Sequence, residues 1–236
     1  MANFSTHLKA STLTSAPLSS IALATHILTL PESLLLFSIG ALSGLLPDLD
    51  SDNSTSIQWL FSILGFFLSA SVIFLYPLSS LMEMWVVGIV IYVITMYAIK
   101  PIFEKITVHR GTLHSILAVI MFALAGITLS LVMQQSLSLS LLIGLAILIG
   151  ALTHLVLDEC YSVDLANNTL KSSFGTAMKF LDRRYPLTTL IQVLFIGAGL
   201  FYLYPYSDEM RSVLVIWQIQ LENLTIIPSF ISQWWR

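Results

Sequence analysis

Three short stretches of this sequence carry residues able to do chemistry together. His154-Leu155-Val156-Leu157-Asp158 sets an imidazole and a carboxylate at i and i+4, on one face of a helix. Such a pair can hold one metal ion, as paired ligands do in helical metal sites. Ionisable groups near the end of an apolar span are costly and usually functional. The competing reading is a local His–Asp hydrogen bond that caps the span. His109-Arg110-Gly111-Thr112-Leu113-His114-Ser115 comes second. Gly111 permits a sharp turn, which puts His114 in the first turn of the next span. A neutral imidazole is the metal-binding form. Arg110 is permanently charged and can fork onto a phosphate or carboxylate. The competing role for His109 and Arg110 is anchoring at the lipid headgroups. Pro47-Asp48-Leu49-Asp50, followed by Asp52, is the third stretch. Its carboxylates are hard oxygen ligands, and one can bridge two metals. The competing reading is a solvated turn leading to a helix cap among Ser54, Thr55 and Ser56, and for Asp52 that reading is preferred.

The combination says more than its parts. The chain has five His. Four of them, His7, His109, His114 and His154, come within reach of one membrane face beside Asp48, Asp50 and Asp158. His26 sits mid-segment with no carboxylate at helical spacing and is read as a non-ligand. A nitrogen and oxygen donor set of this kind suits zinc, manganese or iron. Zinc in an open site acidifies its water towards a hydroxide nucleophile. The sequence has no Gly-rich phosphate loop and no GxSxG. Ser115 could pair with His114, but nothing orients such a pair. Cys160 is the sole cysteine, which rules out an internal disulfide and a cysteine-based zinc cluster.

The elements that position these groups must be membrane helices. Charged residues are 10% of the 236, and apolar residues are 56%. Mean hydropathy is +0.87. A soluble domain of this size needs a polar shell that such a chain lacks. The net charge of −3 gives no reason to expect a nucleic-acid partner. Five apolar stretches, 57–76, 84–99, 113–133, 137–157 and 187–204, approach the roughly 20 residues of a helical span. Residues 10–30 and 33–46 are short or polar for spans. They read as a helical hairpin turning at Pro31-Glu32 and packed inside the bundle. Lys9 ahead of the apolar stretch 18–30 resembles a signal peptide, but Pro17, His26, many Ser and Thr, and no clear small-residue cleavage site argue against one. Residues 213–231 read as an interfacial helix or a poor last span, with Trp234 and Trp235 at the headgroups.

The expected fold is therefore all-α: a multi-pass transmembrane helical bundle of about 5–7 spans with an interfacial C-terminal helix. One membrane domain covers 1–236, with a polar loop at 159–186. Alternating spans bring every polar cluster to one face. Lys9, Lys100, Lys105, Arg110, Lys171, Lys179, Arg183 and Arg184 fall there too, and Arg211 and Arg236 do not. The excess of positive charge makes that face cytoplasmic, and the loop with it.

An early His, LLPDxD, HRGxxHS and HxxxD together resemble the YdjM-like family of bacterial inner-membrane proteins, to which a metal-dependent hydrolase activity is ascribed. The segments are His7, Leu45 to Asp50, His109 to Ser115, and His154 to Asp158. The resemblance implies a helical membrane fold, and the family is also described as LexA-binding. Its motif logic is similar to that of zinc-dependent phospholipase C and related nucleases. That similarity implies His7, Asp48 or Asp50, His114, His154 and Asp158 as ligands, and phosphoester hydrolysis as the reaction class. After HxxxD the chain departs from the Thr and Gly-Val segment common in the family, and reads Glu159-Cys160-Tyr161-Ser162-Val163-Asp164. The departure bears on substrate contacts more than on metal. Glu159 and Asp164 are read as exposed loop acids.

The resulting expectation is a membrane-embedded metal-dependent hydrolase. Metal ligands come from His7, Asp48, His109, His114, His154 and Asp158. Asp50 is a ligand or the general base, and Arg110 binds an anionic group. The cofactor is a divalent ion, zinc before manganese or iron. The substrate is a phosphoester or a lipid-like amphiphile whose tail stays in the bilayer. The alternatives are a transporter, against which the bare span centres argue, and a structural or interaction protein with a non-catalytic polar cluster.

Overall fold

The computed structural model describes residues 3–50, 54–106, 111–164, 169–170, 175 and 178–224. Helix α1 (Phe4–Ala24) starts at Asn3, whose side chain accepts from the Thr6 amide. It is rich in Ser and Thr, which have middling helix propensity. Its buried face is His7, Ser11, Ser15, Ser19 and Ala22, spaced at three and four residues. Those hydroxyls donate one turn back to helix carbonyls, Ser11 to His7, Ser15 to Ser11 and Ser19 to Ser15, so none is buried unpaired. Ser11 also donates to the Ala41 carbonyl at 2.6 Å.

Ala41 belongs to α2 (Leu30–Ser43), which runs back antiparallel to α1. The reversal lies at residues 25–29, earlier than the expected Pro31-Glu32. Pro31 falls inside the first turn of α2, where an amide N–H is not needed. Glu32 closes a capping box with Thr29. The hairpin was expected inside the bundle; α1 and α2 do lie on each other and on α7 (Leu137–Cys160), but Leu13 and Leu34 on their outer faces are exposed, so the hairpin sits at the bundle's edge. Small residues allow the packing on α7. A Cβ added at Gly150 of α7 would strike Ser43 Oγ and come within 2.6 Å of the Gly40 carbonyl.

After the 3-10 turn Pro47–Asp50, α3 (Thr55–Leu75) and α4 (Leu81–Ile94) form an antiparallel hairpin. Ser62 and Tyr92 share a hydrogen bond of 2.8 Å, and Ser69 donates to the Gly88 carbonyl at 2.8 Å. A π turn at Thr95–Ile99 carries α4 into α5 (Lys100–Ile106). Helix α6 (Ile116–Val132) returns antiparallel to α7, with Ser140 donating to Ser130 at 2.9 Å. Two-residue strands β1 (Val163–Asp164) and β2 (Thr169–Leu170) pair antiparallel beyond α7. Helix α8 (Pro186–Leu203) passes through a 3-10 turn into α9 (Ser207–Glu222). Trp217 of α9 donates to Ser138 at 2.8 Å, which docks α9 beside the N-terminus of α7.

The apolar core runs along α7. Leu139, Leu142, Ile143, Ala146 and Ile147 pack with Ala22, Leu28, Leu36 and Ala123, and Val119, Ala151 and Leu155 continue the seam. Among the described residues, four stretches are long and apolar enough to cross a membrane: Thr55–Ile73, Leu81–Lys105, Leu137–Cys160 and Pro186–Glu222. Helices α2 and α6 are shorter and also apolar. Phe66, Trp85, Phe195 and Phe201 point outward, which suits lipid rather than water. The protein is an all-α membrane bundle.

Candidate metal centre

Five polar residues from separate segments of the bundle reach the same end. His7 comes from the first turns of α1, and Asp48 from the turn after α2. His114 comes from the turn before α6, and His154 and Asp158 from the last two turns of α7. His7 Nε2 lies 3.3 Å from Asp158 Oδ1. His154 Nε2 lies 3.5 Å from Asp48 Oδ1 and 3.9 Å from Asp158 Oδ2. His114 Nε2 lies 3.7 Å from Asp48 Oδ1 and 4.0 Å from Asp158 Oδ2. The His7 and His154 rings stack at 3.7 Å between centroids. His7, His114, His154 and Asp158 are at most 1% exposed, and Asp48 is the most open of the five.

Among the described residues, two three-residue groups could hold an ion, His7 with His154 and Asp158, and Asp48 with His114 and His154. His154 is common to both. Its Nδ1 lies 2.7 Å from the Gly44 carbonyl. A carbonyl only accepts, so Nδ1 carries the proton and Nε2 of the neutral ring offers a lone pair. That Nε2 is buried with no hydrogen-bond partner. A buried unpartnered nitrogen facing two carboxylates fits a divalent cation.

Further ties hold this end together. Ser56 donates to Asp48 Oδ2 at 3.0 Å, while Ser54 caps α3. Ser162 donates to the Asp158 carbonyl at 2.8 Å. The first amides of α6, Ile116 and Leu117, donate to the carbonyls of Lys179 and Phe180 at 3.0 and 3.1 Å. Asp182 clamps that strap. It accepts from Lys179 Nζ at 2.6 Å and from Arg184 Nε and Nη2 at 3.0 and 2.8 Å. The Arg184 guanidinium holds the Asp182 carboxyl well below the usual carboxylate range. Gln192 of α8 donates to the Thr112 carbonyl at 3.0 Å.

Of the residues the sequence singled out, His7, Asp48, His114, His154 and Asp158 converge. His26 does not: it is exposed in the α1–α2 turn with φ 56°, at the other end of the bundle. His109, Arg110 and Asp52 lie outside the described residues, as does the side chain of Asp50. His114 corrects one expectation, because it precedes α6 rather than starting it. Ser115 is the cap, accepting from the Ala118 amide at 3.2 Å and donating to the Thr112 carbonyl at 2.6 Å. Its hydroxyl is engaged in these bonds, which argues against a Ser–His pair. Glu159, expected to be an exposed loop acid, stands half-buried in the last turn of α7 and accepts from the Gly175 amide. Gly44, Ser56 and Gln192 were not anticipated. Gln192 had a visible signal, an amide within an uncharged apolar stretch. Gly40-x-x-x-Gly44 is a small-residue motif for close helix packing. Ser56 gave none.

The family model described as YdjM inner membrane protein matches residues 1–170. No curated protein and no solved structure matches the chain. All five converging side chains lie inside the matched segment, and the chain belongs to the YdjM inner membrane protein family.

Proposed function

We propose that the cluster is a divalent metal centre and that the protein is a metal-dependent hydrolase of phosphoester or lipid-like substrates. The observation that carries this reading is the His154 ring. Its lone pair faces Asp48 and Asp158 at 3.5 and 3.9 Å. Those separations exceed the roughly 2.7–3.2 Å of a hydrogen bond. They approach the roughly 3.4 Å between two ligands that share one ion at bonds of about 2.1 Å in a tetrahedron. Acceptor facing acceptor is repulsive unless a cation lies between.

His154, Asp48, His114, Asp158 and His7 are the residues that hold the ion. Zinc is the first candidate, with manganese and iron next. Bound there, a divalent ion supplies Lewis acidity and acidifies water. Burial keeps competing bulk water from the donors, and Asp48 marks the open side. By their places in the sequence, Asp50 is assigned as the base and Arg110 as the group that meets an anionic substrate. Lys9, Lys100, Lys105, Lys179, Arg183 and Arg184 belong to segments at the cluster's end, and Arg211 lies on α9. That bias supports a cytoplasmic site. A transport reading is less favoured. Among the described residues, the middles of α1, α2, α6 and α7 carry no ionisable side chain, and the buried Ser15 of α1 is hydrogen-bonded.

The test is turnover by detergent-purified, metal-loaded protein on phosphomonoester, phosphodiester and short-chain lipid-phosphate reporters. Hydrolysis that needs metal and disappears in Asp158→Asn is expected. A loaded wild type that turns over none of them with zinc, manganese or iron would contradict the hydrolase assignment.

A further inference from the structure

We infer that Ser56 and Gln192 are positioning residues of this centre, holding the two ligands that lie outside the α-helices. The inference rests on the metal reading above. His7, His154 and Asp158 leave regular helices, whose backbone fixes their direction. Asp48 and His114 leave short turns, at 47–50 and 111–115, where the backbone alone fixes less. Each turn receives one buried polar side chain from a neighbouring helix.

Ser56 is 1% exposed, and its hydroxyl donates to Asp48 Oδ2. With Oδ2 tied, Oδ1 is the oxygen presented to His154 and His114. Capping does not explain Ser56, because Ser54 accepts the Ile57 amide. Gln192 is 4% exposed on a helix without a charged residue. A buried amide is costly there. Its Oε1 has no hydrogen-bond partner, which adds to the cost. Its Nε2 donates to Thr112, two residues before His114. The same carbonyl receives the Ser115 hydroxyl, so the turn is pinned from α8 and from its own cap. Gln192 lies beyond the residues 1–170 that the family model covers. The arrangement therefore recruits a helix outside the matched segment. A partner bonded directly to a ligand, as Ser56 is to Asp48, tunes metal affinity by about 10- to 100-fold, and Gln192 acts one step further out, through the turn.

The test measures Co²⁺ and Zn²⁺ affinity of the full chain in detergent by competition with a chromogenic chelator. It compares wild type, Ser56→Ala, Ser56→Thr and Gln192→Leu, with the thermal midpoint of each metal-free protein alongside. Expected are affinities about 10-fold or more weaker in Ser56→Ala and a smaller but measurable weakening in Gln192→Leu. Metal-free midpoints should stay near wild type, and Ser56→Thr should restore most of the affinity through its hydroxyl. Wild-type affinity in both Ser56→Ala and Gln192→Leu overturns the inference and leaves the metal centre standing. So does a loss that tracks a lowered metal-free midpoint and is not rescued by Ser56→Thr. A wild type that binds neither ion removes the metal reading itself, and the inference with it.

Discussion

His154 and His26 are both imidazoles on apolar segments, and their surroundings separate them. His26 is exposed in a turn. His154 is wholly buried, with one nitrogen on a backbone carbonyl and the other facing two carboxylates. Removing the ring as His154→Ala should abolish metal binding, read by competition with a chelator, while His26→Ala should leave it unchanged. Equal affinities in the two would remove His154 from the site. The i, i+4 spacing of His154 and Asp158 was legible in the sequence, because a helix dictates it. The Gly44 carbonyl was not, because it reaches His154 only through packing between residues 110 positions apart. Ser56 was hidden among three candidate caps for the same reason. A second residue-scale prediction concerns Asp182. Its folded pKa is lowered by Arg184, below an unfolded value of about 3.9. The stabilisation is thus fully present above roughly pH 4 and is lost as pH falls through the folded value. Asp182→Asn should lose roughly 1 kcal/mol at neutral pH, because the exposed Arg184 side of the clamp is screened by water, seen as a lower thermal midpoint in detergent. The gap to wild type should close on acidification, and a gap independent of pH would contradict the clamp.

At the scale of elements, apolar runs were read well and polar ones less so. The spans expected at 57–76, 137–157 and 187–204 appear as Thr55–Leu75, Leu137–Cys160 and Pro186–Leu203. Helix α6 starts at Ile116 rather than 113, because Ser115 caps it and the turn before it carries His114. The α1–α2 hairpin was expected, but its reversal was misplaced. Pro31 looks like a breaker in sequence and is at home in the first turn of α2. The packing of α2 against α7 makes a sharp prediction. Gly150→Ala must displace Ser43 or the α2 backbone. It should cost about 1–3 kcal/mol and weaken metal binding, since the Gly44 carbonyl moves with α2. Gly197→Ala on α8 is the control, because its Cβ meets nothing within 4 Å. Equal stability and affinity in the two variants would contradict the close α2–α7 approach.

At the scale of the whole molecule, helix alternation collects His7, Asp48, His114, His154 and Asp158 at one end, and the proposed cytoplasmic side of that end rests on the basic residues of the same segments. Cys160, the sole and exposed cysteine, stands beside this end and reports its side. A membrane-impermeant thiol reagent should modify it in inverted vesicles and spare it in intact spheroplasts. In a Cys160→Ser background, Arg211→Cys should show the opposite pattern. Labelling of Cys160 from outside would reverse the orientation without touching the cluster. The gathering was foreseeable from span alternation, whereas the near-complete burial of four of its members was not, since it depends on the serine-lined α1 packing beside α7. The most direct test of the centre is metal content. The full chain would be purified without chelator or His-tag and incubated with zinc, manganese and iron. Elemental analysis would be run beside Asp158→Asn and His154→Ala. Because His154 Nε2 has one lone pair to give, about one equivalent per chain is expected in wild type and none in either variant. A folded wild type that retains none of the three metals would contradict the metal centre.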